Sequence, residues 1–286
     1  MSQDGRPDII YEKFPDKHYA IISMNRPERL NAMGGDIPRL MDEALADFTA
    51  DSDMYVGIIT GEGRAFSAGM DLRQRADSDA AIADANSKHE KGEINAGERD
   101  QQIAAARAQG SFIRRHPGTL SDNPKPFIAA VNGLAMGGGT ERAMDCDIRI
   151  ASSSSYFALS EVRRGILPGS GTHWAPRLMP IGNAALMLYA GQNMTPQEAW
   201  RIGFVQEVVE PDQLLPRCVE IAEQIGANAP LAVQGVKRML QYWRQMGIQG
   251  SHQLQSGINL QISASEDSKE GPRAFTEKRN PVWQGR

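Results

Sequence analysis

Short apolar segments that end in glycine-containing turns alternate with helical patterns along the first two thirds of this 286-residue chain. Apolar runs of this length predict buried strands, and two of them stop directly at Gly61-Glu62-Gly63 and Asn132-Gly133. Between two of the runs, apolar residues recur at helical spacing over 37–48. Strands separated by helices predict an α/β fold in which the loops after the strands carry function. The predicted strands cover residues 19–24, 56–60, 127–131, 148–151 and 205–209.

Composition and motifs exclude several classes of protein. A hydrophobic fraction of 41% and a net charge of −4 indicate a folded chain without a dedicated nucleic-acid surface. The chain lacks the phosphate-binding P-loop, the dinucleotide-binding glycine pattern, the Gly-x-Ser-x-Gly elbow and the His-Glu-x-x-His metal motif. Cys146 and Cys218 predict reduced, packed thiols in a cytoplasmic protein. Residues 1–7 are polar and predict no signal peptide, and no apolar stretch predicts a membrane span.

Residues 73–122 and the C-terminal third have helical patterns. The segment 73–122 is rich in alanine and charge, and it is interpreted either as a solvated helical insertion or as a lid over a nearby site. Thr195-Pro196-Gln197-Glu198 is typical of a capped helix start. Helices are predicted over 230–246 and 253–262. We divide the chain into a core over 1–200 and a C-terminal helical region over 201–286.

Three segments concentrate glycine and acidic residues after predicted strands. In 63–72, small residues allow a ligand to approach the backbone closely. In 132–141, three glycines lead into a predicted helix whose N-terminal N–H groups favour negative charge. In 157–169, Glu161 precedes a Gly-x-x-Pro-Gly turn. Taken singly, the glycines are equally typical of ordinary turns, and the glutamate is equally typical of a surface acid.

Together these segments resemble the crotonase (enoyl-CoA hydratase/isomerase) superfamily. The resemblance covers most of the chain. The matching motifs are Asn25-Arg26-Pro27-Glu28-Arg29-Leu30-Asn31-Ala32-Met33, Ile59-Thr60-Gly61, Phe66-Ser67-Ala68-Gly69, Asn123-Pro124-Lys125-Pro126, Ala130-Val131-Asn132-Gly133, Cys146-Asp147, Glu270-Gly271 and 275–278.

The resemblance implies a fold, an assembly and a ligand. The fold is the α/β crotonase spiral of ββα units, with a C-terminal helical region that mediates assembly into a homotrimer or homohexamer. The ligand is an acyl-CoA, so coenzyme A arrives with the substrate and no further cofactor, metal, membrane or nucleic acid is implied. The substrate-binding residues carried over from the family are Arg29, Ala68, Gly69, Met70, Asp71, Leu72, Gly137 and Gly138. Candidates to contact the phosphates of coenzyme A are Arg26, Arg29, Lys125 and Lys278.

The resemblance also implies catalytic roles. The backbone N–H groups of Ala68 and Gly138 form an oxyanion hole for the thioester carbonyl, where charge develops in an enolate-like state. Glu141 and Glu161 match the two glutamates of the family's hydratases, and one activates water while the other exchanges a proton. The function implied is reversible hydration of a 2-enoyl-CoA. The alternatives are enoyl-CoA isomerisation or another crotonase reaction, and a non-catalytic CoA- or RNA-binding role.

Three features depart from the family pattern. The stretch between Asp71 and Pro124 is longer than is usual in the family, where this region tends to wall the acyl pocket, so the resemblance does not imply an ordinary straight-chain enoyl substrate. Arg142 follows Glu141 where an apolar residue is usual, and its guanidinium is expected either to lower the pKa of Glu141 or to pair with Asp145. The pair Arg163-Arg164 follows Glu161 and is interpreted as surface charge or as a contact for a polar acyl group.

Overall fold

The computed structural model describes residues 5–110 and 120–286. Strands and helices alternate through the first 209 residues, and helices follow. The strands are β1 (Ile9–Phe14), β2 (Tyr19–Met24), β3 (Val56–Gly61), β4 (Ala65–Ser67), β5 (Phe127–Val131), β6 (Leu134–Met136), β7 (Ile148–Ser152), β8 (Tyr156–Ala158) and β9 (Glu207–Val209). The α-helices are α1 (Ile37–Ala50), α2 (Leu72–Glu90), α3 (Ala96–Gly110), α4 (Gly138–Asp145), α5 (Gly171–Leu178), α6 (Ile181–Ala190), α7 (Pro196–Arg201), α8 (Leu214–Gly226), α9 (Pro230–Ser263) and α10 (Glu266–Glu277).

The strands of the described chain form two sheets. The larger has the order β1-β2-β3-β5-β7-β9 and is parallel except for β1, which pairs with β2 in an antiparallel register. The smaller has the order β4-β6-β8 and is parallel. Strands β3, β5 and β7 of the larger sheet are each followed within a few residues by a strand of the smaller sheet. The smaller sheet therefore carries the loops that follow β4, β6 and β8 to one region of the molecule.

Both faces of the larger sheet are covered, which explains why its strands are continuous apolar runs. In β3, Ile58 packs on one side in a cluster with Leu214 and Cys218 of α8. The adjacent Ile59 faces the opposite side, in a cluster with Met41 of α1. This alternation follows from the two-residue period of a strand. The sheet thus holds the loops after its strands on a rigid, fully packed support.

Two elements that follow residue 200 pack with the larger sheet. Strand β9 pairs with β7 in the larger sheet, and α8 packs on that sheet, so the core continues to residue 226. The two helices predicted over 230–246 and 253–262 form one continuous helix, α9. The intervening Gly247 and Gly250 each cost only about 1 kcal/mol in a helix, and no proline interrupts it.

The segment 73–122 contains α2 and α3, which pack against each other as a helical hairpin. Ser78 Oγ donates to the carbonyl of Ala106 at 2.7 Å across the two helices. Both helices are largely polar on their outer faces, and residues 111–119 of the segment lie outside the described residues. Helix α2 begins at Leu72, directly after the loop 68–71, so the hairpin starts at one of the candidate functional loops.

Among the residues described, no helix combines the length and the apolar character that a membrane span requires. Cys146 and Cys218 are both free and buried, as packed thiols are expected to be.

Candidate active site

The first candidate loop, residues 68–71, joins β4 to α2 through a tightly constrained backbone. Gly69 adopts a φ of 82°, which non-glycine residues rarely reach. Its N–H donates to Ser67 Oγ at 3.1 Å, and that hydroxyl donates to the carbonyl of Asn31 at 2.7 Å. Asp71 then caps α2, because its Oδ1 accepts from the N–H of Arg73 at 3.2 Å and of Gln74 at 3.4 Å. The loop is therefore held at both ends.

The second candidate loop carries Gly137 into α4. Gly137 adopts a φ of 54° and a ψ of −124°, and its N–H donates to the carbonyl of Ala158 at 2.8 Å. Its carbonyl accepts from the N–H of Glu141 at 3.0 Å, which closes the first turn of α4. The N–H of Gly138 has no acceptor within the helix, because the first N–H groups of a helix are left unpaired.

The two loops touch each other through glycine backbone. A Cβ on Gly69 would lie 2.8 Å from Gly138 N, closer than a real Cβ comes to another atom. A Cβ on Gly138 would lie 3.8 Å from Met70 N and would overlap the terminal methyl of Met33. Glycine at both positions therefore brings the backbone N–H groups of residues 70 and 138 beside each other.

The backbone hydrogen bonds of the first loop bear on the choice of oxyanion donor. The N–H of Ala68 donates to the carbonyl of Leu30 at 2.8 Å, so it is already used inside the protein. The N–H of Met70 finds no acceptor among the described residues, and it lies on the side of the loop that faces Gly138. We therefore propose Met70, in place of the predicted Ala68, as the partner of Gly138 in the oxyanion hole. Small residues mark the loop in the sequence, but they do not show which of its N–H groups bonds inside the protein.

Glu141, in the first turn of α4, is half-buried and held by backbone amides. Its Oε1 accepts from the N–H of Gly171 at 2.8 Å, at the start of α5. Burial raises the pKa of the Glu141 carboxyl, and the amides of Gly171 and Gly169, with a smaller effect of Arg142, oppose this shift. Gly171 was not among the predicted site residues, because only its position in space connects it to Glu141.

Glu161 starts the 3-10 helix Glu161–Arg164 and lies against the second loop. A Cβ on Gly137 would be 2.9 Å from its Oε1, so glycine makes room for this carboxylate. No donor among the described residues reaches its buried Oε2. Burial raises the pKa of the Glu161 carboxyl, and the negative charge of Glu141 raises it further; a hydrogen bond from the backbone N–H of Glu161 and the charge of Arg164 oppose this shift. The charge of Glu141 therefore influences the protonation of Glu161.

The basic residues beside the glutamates have structural partners. Arg142 is buried, and its charge is a minor influence on Glu141. The carboxylate of Asp145 accepts from backbone N–H groups of residues 120 and 121, at 2.7 Å and 3.2 Å. Arg163 donates to the carbonyl of Ala190 at 3.1–3.2 Å, at the end of α6, and Arg164 donates to Ser160 Oγ at 3.2 Å.

The remaining predicted residues occupy different environments. Leu72 is exposed at the first position of α2, and Arg29 is exposed in the 3-10 helix Pro27–Arg29. Two candidates for contacting phosphates are used inside the protein. Lys125 is buried and donates to the carbonyls of Phe48 and Asp51 at 2.8 Å and 2.6 Å. The Arg26 guanidinium pairs with Asp71, 3.2 Å away.

The raised pKa of Glu161 predicts a pH-dependent stability difference for Glu161→Gln. A carboxyl whose pKa is higher when folded than its ordinary 4.5 stabilises the fold below pH 4.5, and that stability is lost as the pH rises. The glutamine variant carries no ionisable group, so it is expected to melt above the wild type at pH 7. The difference should shrink toward zero below pH 4.5. Calorimetry at both pH values, with the exposed Glu43→Gln as control, checks this; a lower Tm for Glu161→Gln at pH 7 would contradict it.

The sequence is similar to a known enzyme family and to characterised relatives over nearly its whole length. The family model described as enoyl-CoA hydratase/isomerase matches residues 16–96 and 92–286. The short-chain-enoyl-CoA hydratase of Clostridium acetobutylicum is 36% identical over 274 residues, which cover 95% of both chains. The carnitinyl-CoA dehydratase of Salmonella enteritidis is 35% identical over 271 residues, covering 93% of this chain and 94% of the relative.

Solved structures agree with this match. The enoyl-CoA hydratase EchA1 of Mycobacterium marinum superposes with a TM-score of 0.82 at 32% identity, covering 98% of this chain and 100% of that one. An enoyl-CoA hydratase of Bacillus anthracis has a TM-score of 0.80 at 30% identity, with coverage of 98% and 100%. The predicted crotonase fold is thereby confirmed. The chain belongs to the enoyl-CoA hydratase/isomerase family, the crotonase superfamily, and is an enzyme of that family.

Proposed function

We propose that this protein catalyses the reversible syn addition of water to a 2-enoyl-CoA thioester. The observation that carries the proposal is the pair of half-buried, electrostatically coupled carboxyls of Glu141 and Glu161, set around the glycine loop 137–139. Addition of water to a double bond needs a group that removes a proton from water and a group that supplies a proton to carbon. Two carboxyls in different environments supply both.

The N–H groups of Met70 and Gly138 receive the thioester oxygen in this mechanism. Attack of water at Cβ moves negative charge through Cα onto that oxygen, which gives an enolate-like state. Backbone donors that are already oriented stabilise this charge without reorganisation, and each contributes ~3–4 kcal/mol in comparable sites. The N-terminus of α4 adds a favourable dipole at the Gly138 donor.

The hydrogen-bond partners support different roles for the two glutamates. The Gly171 N–H, 2.8 Å from Glu141 Oε1, stabilises the ionised form of Glu141. Glu161 has an oxygen that no donor among the described residues reaches, and the Glu141 charge favours its protonated form. Glu141 therefore removes a proton from water as the oxygen bonds to Cβ, and Glu161 delivers its proton to Cα. Dehydration runs through the same steps in reverse.

The two glycine-containing loops supply the proposed contacts to the substrate. The thioester lies between 68–72 and 137–138, where glycine leaves the backbone bare. Coenzyme A belongs to the substrate, and Arg29 and Lys278 are the two predicted phosphate contacts whose side chains are exposed. The relatives named short-chain-enoyl-CoA hydratase and carnitinyl-CoA dehydratase support water addition or removal on an acyl-CoA.

The proposed assembly is a homotrimer or a homohexamer formed through the C-terminal helices. Helix α9 exposes Val236, Leu240 and Trp243, each about 60% exposed, at a spacing that places them on one helix face. An apolar stripe of this kind is typical of a surface that another chain covers. Light scattering should give three or six times the chain mass of 31.3 kDa; a monomer in solution would contradict the assembly.

Product analysis tests the reaction. The purified protein is incubated separately with 2-enoyl-, 3-enoyl- and 3-hydroxyacyl-CoA esters of the same chain length, and products are separated by chromatography. Conversion of the 2-enoyl and 3-hydroxy esters into the same mixture supports hydration. Movement of the double bond from 3-enoyl to 2-enoyl without a hydroxylated product would establish isomerisation instead, and no turnover would favour a binding role.

A further inference from the structure

We propose that Arg26 is a positioning residue for the oxyanion hole, which it holds together through Asp71 and the carbonyl of Ala32. This inference rests on the proposed function, because it concerns how the Met70 and Gly138 donors are kept in place. Arg26 lies after β2, at the edge of the site and outside both loops. Its guanidinium does not have to touch the substrate for this role.

A single guanidinium nitrogen joins two segments of the site. Arg26 Nη1 donates to the Ala32 carbonyl at 2.9 Å and to Asp71 Oδ2 at 3.2 Å. Asp71 directly follows the proposed donor Met70 in the chain. Ala32 directly precedes Met33, whose methyl group lies against Gly138. Arg26 is therefore hydrogen-bonded to the residue after Met70 and to the residue before Met33.

The segments around Ala32 and Asp71 also bond directly to each other. The guanidinium therefore reinforces an alignment of the two segments that the backbone already fixes. The N–H of Met33 donates to the carbonyl of Gly69 at 2.7 Å, and Met33 and Met70 form an isolated parallel bridge. A second tie joins Gly35, two residues after Met33, to Gln74, four residues after Met70: the N–H of Gly35 donates to Gln74 Oε1 at 2.9 Å. Arg26 Nη1 ties the same two segments together, at Ala32 in one and Asp71 in the other.

Burial makes this pair different from the exposed ion pairs of the chain. The side chains of Arg26 and Asp71 are 14% and 12% exposed, so solvent screens their attraction only weakly. Asp8, which is buried, lies 3.8 Å from Arg26 Nε on the other side of the guanidinium. On α2, Arg75 and Asp79 also form an ion pair, at 2.9 Å, but both are more than half exposed. The second pair is a matched control on the helix that Asp71 caps.

The geometry of the guanidinium explains why lysine would be an inadequate replacement. Arginine presents several N–H donors in a rigid plane, whereas lysine presents one compact charge on a flexible stem. A lysine at position 26 therefore loses the fixed arrangement that reaches Ala32, Asp71 and Asp8 together. An oxyanion donor must be held within ~0.5 Å of its productive position, so a small relaxation of the 68–71 loop affects the transition state.

The kinetic test compares Arg26→Lys with Arg75→Lys and with Asp71→Asn, which keeps a side-chain acceptor for the α2 cap. For crotonyl-CoA hydration, Arg26→Lys and Asp71→Asn are each expected to lower kcat ~10–100-fold, the size of effect that a misplacement of about 1 Å produces. Their KM values should change little. Arg75→Lys should match the wild type in both constants. Unchanged kcat in both folded Arg26 and Asp71 variants would overturn the positioning role.

A spectroscopic measurement separates this role from the proposed reaction. Butanoyl-CoA with a ¹³C thioester carbonyl is saturated and cannot be hydrated, but an oxyanion hole polarises its carbonyl and lowers its stretching frequency. We expect a smaller infrared shift in Arg26→Lys and Asp71→Asn than in the wild type and Arg75→Lys. An equal shift in all four proteins would overturn the role of Arg26, whatever the reaction. A wild type that shifts the carbonyl but hydrates no enoyl-CoA would overturn only the proposed function.

Discussion

Glu161→Gln and Glu141→Gln are each expected to lower kcat for hydration of crotonyl-CoA by ~10²–10⁴-fold, the usual contribution of a positioned acid or base. Glutamine has nearly the same shape as glutamate, so the packing against Gly137 and the bond from Gly171 to residue 141 can be retained. What is lost is proton transfer. The initial rate at which the enoyl absorbance is lost, measured over a range of crotonyl-CoA concentrations, gives kcat and KM for each variant.

The control for these variants is Glu43→Gln, which removes an exposed carboxylate of α1. It should leave kcat unchanged, whereas the two site variants should retain the wild-type far-ultraviolet circular dichroism and still bind a saturated acyl-CoA. The pH profile of each site variant should lose one of its two protonation steps, because only one ionisable carboxyl remains at the site. Near-normal turnover by either site variant would rule out the two-carboxylate mechanism.

Much of the site was predictable because glycine marks backbone that another group must approach. The run Gly137–Gly139 before a helical pattern predicted bare N–H groups at a helix start, and α4 begins at Gly138. The family resemblance implied that the loop containing Gly69 lies beside this run, and in the structure Gly69 and Gly138 are in contact. The donor in that loop could not be predicted from composition, because the partner of Ala68 is the carbonyl of Leu30, 38 residues earlier in the chain.

Long-range packing also decided what the local patterns could not. The short segment at residues 207–209 becomes part of the core only because β7 offers it an edge to pair with. The charge of Arg26 marked it as a candidate for phosphate contacts, but the sequence does not show that Asp8 and Asp71 surround it in the fold. Local periodicity predicts helices and strands. The partner of a charged side chain or of a backbone N–H, in contrast, depends on residues that are far away in sequence.

Replacing the Met70 amide by an ester is expected to lower kcat ~10²–10³-fold, the usual cost of removing one oxyanion donor. The hydroxy-acid analogue of methionine, introduced at position 70, keeps the side chain and deletes only the N–H. Because the Met70 N–H has no acceptor among the described residues, its loss breaks no bond of the folded protein. KM should change little, since the donor acts mainly on charge that develops in the transition state.

The same exchange at Ala68 distinguishes the two candidate donors. Lactic acid at position 68 removes the N–H that donates to the Leu30 carbonyl at 2.8 Å, so it should lower the free energy of unfolding by about 1 kcal/mol. Its kcat should stay close to that of the wild type. The opposite pattern, with turnover lost at position 68 and retained at position 70, would return the donor to Ala68. It would also mean that the Leu30 bond breaks when substrate binds, since one N–H cannot fully serve the Leu30 carbonyl and the thioester oxygen together.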